Sequence, residues 1–126
     1  MKSLPFWFVF LSALFGLAGM GLGIYMGISG DHTFTPAHAH NNLLGWVSMA
    51  IYGLYYRAVP AAAVSRLAVP HFLTAFIGAL LFGPGLVIVA TGGTEIIVQI
   101  ASLLVILSML IFAINVLVNR AGLTNP

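Results

Sequence analysis

The chain has 126 residues, of which 61% are hydrophobic and only 5% charged, with a formal net charge of +2. So little charge does not cover the surface of a soluble domain, and four Lys/Arg residues are too few for a phosphate-tracking patch, so the composition points to lipid as the solvent and away from nucleic acid. The absence of cysteine removes disulfides, thiolate metal sites, iron–sulfur clusters and thioether-attached haem, leaving histidine, methionine and oxygen as metal ligands.

A helix crosses a bilayer with about 20 apolar residues. Four stretches meet that length and predict a single all-α, four-helix membrane domain over residues 1–126. The first covers residues 5–28 and carries Gly16, Gly19, Gly21 and Gly23, which permit close helix approach. Its apolar run continues past Gly23 to Ile28, longer than the core of a cleaved signal, which favours a retained span. The second covers residues 36–56, with Thr35-Pro36 as its start signal. The third covers residues 70–90 and opens on Pro70; Gly83-Pro84-Gly85 inside it predicts a kink or local unwinding. Gly92-Gly93 supplies the next turn. The fourth covers residues 95–118, capped by Thr94, with Glu95 in its first turn.

Four spans put Lys2, Arg57, Arg66 and Arg120 on one side, which the positive-inside rule makes cytoplasmic. Both termini are then inside. The only acids, Asp31 and Glu95, lie on the opposite side with His32, His38 and His40. In a bacterial inner membrane that side is periplasmic.

His38 and His40 open the second span. Two residues on a helix turn through about 200°, so the imidazoles point to nearly opposite faces and cannot readily chelate one ion. From spacing alone, two wet interfacial histidines account for the pair as well as two separate ligand sites do. His32 follows Asp31 in the outer loop and reads as solvated, with support of a ligating imidazole or a place in an alternative metal site as the other readings. Glu95 reads either as a helix-start charge or as a carboxylate partner of a ligating imidazole. His71, beside Pro70, reads as an interfacial residue on the cytoplasmic side. Trp46, Tyr52, Tyr55 and Tyr56 read first as packing and aromatic-belt residues.

The stretch His38-Ala39-His40-Asn41-Asn42-Leu43-Leu44-Gly45-Trp46-Val47, continuing through Gly53, Tyr56, Val59 and Pro60, adds to that reading. It resembles the tenth transmembrane helix of haem-copper oxidase subunit I, most closely that of C-type cytochrome c oxidases. The resemblance covers residues 38–60. It implies that His38 ligates the iron of a high-spin haem and His40 that of a low-spin haem, with Asn41, Asn42 and Trp46 in the cofactor's surroundings. The departures are equally informative. The family's copper site needs three further histidines, and only His32 and His71 remain, on opposite sides. Oxygen reduction by the oxidase route is therefore not expected, and no catalytic residue is assigned. The outer-side arginines that pair haem propionates in the family are missing, which leaves His32, Asn41, Asn42, backbone amides or water.

The family's twelve helices resemble three arcs of four, and this chain is one arc long, with its motif helix second. That implies a ring-like homo-oligomer, with a trimer favoured. Each haem b would lie between neighbours, bound by two histidines, for electron transfer or haem sensing, with a redox partner as a further expectation. Two alternatives stay open. One is copper or zinc held or transported by an outer cluster of His32, His38, His40, Asp31 and Glu95. The other is a haem-free assembly or structural subunit. The nearly apolar midspan positions weigh against an ion path.

Overall fold

The computed structural model describes residues 3–124. Lys2, counted above among the cytoplasmic charges, lies outside them. The fold is all-α. Helix α1 runs Leu4–Ser29, α2 Thr35–His40, and a π-helical segment Asn41–Ser48 leads into α3 Met49–Ala58. Short α4 Pro60–Ala63 turns the chain into α5 Ala68–Ala90; α6 Ile96–Val118 and short α7 Ala121–Thr124 follow. Three helices, α1, α5 and α6, are long and apolar enough to cross a membrane.

The expected second span differs from the reading of one uninterrupted α-helix. The chain is helical from Thr35 to Ala58, but its middle is wound with the wider π pattern. Two local features accompany this. The Asn42 side-chain amide donates to the His38 carbonyl at 3.0 Å, offering the ladder a substitute for a backbone N–H. Gly45 lies where the Phe15 ring presses in; a Cβ there would sit 2.5 Å from Phe15 Cγ. Segments of this kind are rare and concentrate at functional sites. We call α2, the π segment and α3 together the composite helix.

The other limits shift modestly. Helix α5 starts at Ala68, so Pro70 sits inside its first turn, where a missing N–H costs nothing. Pro84 does not unwind α5, which continues to Ala90. Glu95 is the N-cap of α6 rather than a first-turn residue, and the Thr94 hydroxyl accepts the Ile96 N–H at 3.3 Å.

Without an aqueous drive between helices, association in lipid depends on packing and on small residues that let backbones approach. Two seams follow this rule. On α1, Gly16, Gly19 and Gly23 receive Trp46, Asn42 and His38 of the composite helix. Gly21 takes no part: nothing lies within 4 Å of a Cβ built on it. Between α5 and α6, a Cβ on Gly78 would meet Val105 and one on Gly85 would meet Val98, each at 3.0 Å. Buried Ala75, Ala79 and Ala101 add to that small-residue interface. Along the layer, α1 packs on the composite helix, whose first half packs on α5, and α5 packs on α6. The outer faces of α1 and α6 stay apolar and uncovered, from Leu17, Ile24 and Ile28 to Leu103, Ile106 and Leu117.

Candidate functional site

The helix order sends α1 and α5 toward one end and the composite helix and α6 back. Asp31, Glu95, His32, His38 and His40 therefore gather at one end, and Arg57, Arg66 and Arg120 at the other. We call these the acidic and the basic end.

At the acidic end the two histidines of the motif leave the helix toward different neighbours. His38 turns to α1, where its Nδ1–H donates to the Gly19 carbonyl at 2.8 Å. His40 turns to α5 and stacks on Phe82, with ring centroids 4.9 Å apart and planes 11° from parallel. Its Nδ1–H donates to the Pro36 carbonyl at 2.8 Å. His32, in the loop, donates from Nδ1 to the Gly30 carbonyl at 3.0 Å. A carbonyl oxygen can only accept, so each of these Nδ1 atoms carries the proton. In the neutral ring Nε2 then holds the lone pair, the arrangement by which ligating imidazoles are oriented toward a metal.

The neighbouring side chains are engaged within the chain. Asn41 Nδ2 donates to the Phe15 carbonyl at 2.8 Å, one turn below the carbonyl that takes His38. Asn42 Oδ1 is buried with no hydrogen-bond partner among the described residues, pressed on the Cα of Gly19. That contact has the form of a weak Cα–H···O bond, common where a glycine meets a neighbouring helix. Trp46 lays its indole over Gly16. Glu95 is exposed and accepts from Gln99 Nε2 at 3.4 Å rather than from an imidazole. Asp31 accepts from the Thr33 hydroxyl at 2.5 Å and from the Thr33 N–H at 3.0 Å. These bonds, together with nearby His32, hold its carboxyl below the usual range. Among the described residues no group of three or more His, Asp or Glu side chains comes together to hold a metal ion. The outer cluster expected as the alternative metal site is therefore not assembled within one chain.

A second polar centre lies at the basic end, and here the reading of His71 is corrected. His71 is fully buried rather than interfacial. Helix α5 begins before Pro70, which turns the imidazole inward among Phe8, Tyr52 and Phe112, with ring centroids 4.5 to 5.4 Å away. Tyr56 OH and His71 Nδ1 are 2.9 Å apart. The Tyr56 oxygen also accepts from Asn115 Nδ2 at 3.0 Å, and Asn115 Oδ1 accepts from Asn119 Nδ2 at 2.6 Å. With Tyr56 donating onward, the bonds run in one direction from Asn119 through Asn115 and Tyr56 to His71. That direction puts the His71 proton on Nε2, which has no partner among the described residues. The centre joins the composite helix, α5 and α6, and Asn115 Nδ2 also reaches Ser65 Oγ in the intervening loop at 3.2 Å. Asn115 and Asn119 escaped the sequence reading. Their signal was available, since uncommon polar side chains near the end of an otherwise apolar span seldom lack partners.

Comparison with protein-family models, curated proteins and solved structures finds no match to this chain.

Proposed function

We propose that the chain is a haem-b-binding membrane protein that works as a homotrimer in a bacterial inner membrane. His40 of one copy and His38 of the next would bind each iron. The basic end would face the cytoplasm by the positive-inside rule, with both termini inside. The observation that carries this reading is the paired fixing of Nδ1: both motif imidazoles donate to backbone carbonyls and face different helices, which turns their Nε2 lone pairs toward two different sites, although the Asn42 amide lies 3.4 Å from His38 Nε2 and would have to give way to a metal there. The donor set fits haem iron, which accepts two imidazoles without thiolate or carboxylate. Because the rings diverge, one chain supplies one ligand to each iron, so binding by two histidines requires a second copy. The layered order of α1, composite helix, α5 and α6, and the uncovered apolar faces at both edges, support closure with further copies. The resemblance of residues 38–60 to the oxidase helix supports the same roles.

When bound, haem with two imidazole ligands supplies one-electron redox chemistry and no open coordination position, which favours electron transfer. The chain's own part is to hold the imidazoles in one tautomer and to shield them in apolar surroundings. Copper or zinc binding is the weaker reading, because it too would need ligands from several copies, and nothing brings Glu95 to an imidazole.

The test is an absorption spectrum of the detergent-purified protein, oxidised and reduced, with haem counted as its pyridine adduct. One haem b per chain and a mass of three chains are expected. Loss of an outer-shell partner alone costs about 10- to 100-fold in metal affinity. His38→Ala or His40→Ala should therefore leave less than about a tenth of the wild-type haem. A preparation that stays colourless when haem is supplied during expression would overturn the proposal.

A further inference from the structure

The apolar surface among the described residues carries grooves between helices, and one of them ends at a charged side chain. At the basic end, between α1 and α3, a trough of about 540 Å³ runs along Phe6, Val9 and Ala13 on one wall and Gly53 and Leu54 on the other, and ends at Arg57. The two grooves between α1 and α5, of about 390 and 420 Å³, are lined by no charged residue. Arg57 is exposed at the last turn of α3, where its cation also suits the negative end of the helix dipole.

The guanidinium has no carboxylate side chain within reach. The chain has only two acidic residues, Asp31 and Glu95, and both lie at the far end. A cation at the margin of a membrane-spanning bundle, with no acidic side chain at its own end, attracts an anion from its surroundings. The long apolar trough leading away from it takes an apolar chain rather than a hydrated ion. We propose that this trough is a binding site for an anionic phospholipid, with the phosphate on Arg57 and one acyl chain along α1 between Phe6 and Ala13. The site does not depend on the haem reading, since it lies at the other end of the molecule from His38 and His40.

The test uses the full chain in nanodiscs of mixed phosphatidylglycerol and phosphatidylcholine, with retained lipids counted by native mass spectrometry. Wild type is expected to retain phosphatidylglycerol in preference to phosphatidylcholine. One basic residue near the surface accounts for about a fivefold change in affinity, so Arg57→Gln should lower phosphatidylglycerol retention by about that factor. Ala13→Phe, at an exposed position that fills the trough, should lower retention of both lipids. Arg66→Gln should leave the preference unchanged. The site is overturned if Arg57→Gln has no effect or if Arg66→Gln matches it, since either shows a diffuse basic margin. It is likewise overturned if inorganic phosphate displaces the lipid at equal concentration, which points to a free anion. A trimer that breaks on Ala13→Phe while lipid retention holds shows instead that a second copy covers the trough.

Discussion

Replacing His71 with alanine is expected to destabilise the folded chain by about 4 kcal/mol, with helix content lost at a lower denaturant fraction in detergent unfolding. Two costs add. Truncation leaves a cavity among Phe8, Tyr52 and Phe112, where removal of a buried ring costs about 3 kcal/mol or more. It also leaves the Tyr56 hydroxyl without its acceptor, a further penalty of about 1 to 3 kcal/mol. His71→Phe separates them. The ring is kept, the bond to Tyr56 is lost, and the unpartnered Nε2–H disappears as well, so the net cost should be only about 1 kcal/mol. Equal stabilities for the two variants would mean that the aromatic surround contributes nothing, which overturns this account of the centre.

Gly19→Leu is expected to be nearly as damaging, and to do more at the acidic end. A Cβ on Gly19 would lie 2.7 Å from Asn42 Cγ and 2.8 Å from Asn42 Nδ2, and the Asn42 side chain is tied to His38 O. Neither side can yield cheaply, so α1 and the composite helix must part. Overpacking of this kind costs about 1 to 3 kcal/mol, and here the His38 bond to Gly19 O is lost with it. Gly21→Leu is the matched control. It adds the same side chain two residues along, with nothing within 4 Å of the new Cβ, and should leave stability unchanged to within about 0.5 kcal/mol. Thermal unfolding of both variants, with the imidazole NMR shifts of His38 as a second readout, decides the matter. A Gly19→Leu protein as stable as Gly21→Leu would show that the two helices do not meet along this seam.

These two positions also mark how far the sequence could be read. Apolar runs and their flanking charges are local signals, so α1, α5 and α6 and the separation of Asp31 and Glu95 from the arginines were legible. The divergence of His38 and His40 was legible too, because two residues on any helix turn by more than half a circle. Which glycines of α1 face a neighbour was not. Gly21 belongs to the same run as Gly19, and only the rotation of α1 against its partner distinguishes them. His71 was misjudged because Pro70 looked like a helix start at the membrane margin. Its partner Tyr56, and Asn115 behind it, sit on two other helices, and burial decided by contacts so distant along the chain has no local signature. The π winding was hidden for the same reason, since it involves a side-chain bond at His38 O and the entry of Phe15 at Gly45.

That winding separates two packing problems that a uniform helix would have to solve together. Above it, His38 is matched to Gly19 and Gly23 of α1; below it, Tyr52 and Tyr56 are matched to α5 and α6. A wide turn holds about one residue more than an α turn for the same rotation, so a return to regular winding at the present length re-aims one half against the other, whereas deleting one residue at the same time largely restores the phase. The segment thus acts as a phase adjuster between the two ends. Substitutions that return the segment to regular winding at unchanged length are expected to change where the imidazoles aim, and deletion of one residue with them is expected to restore the aim, while the centre of His71, Tyr56 and Asn115 stays intact. Homologous chains that keep the histidine orientation with regular winding can be sought first by the loss of one of these eight positions.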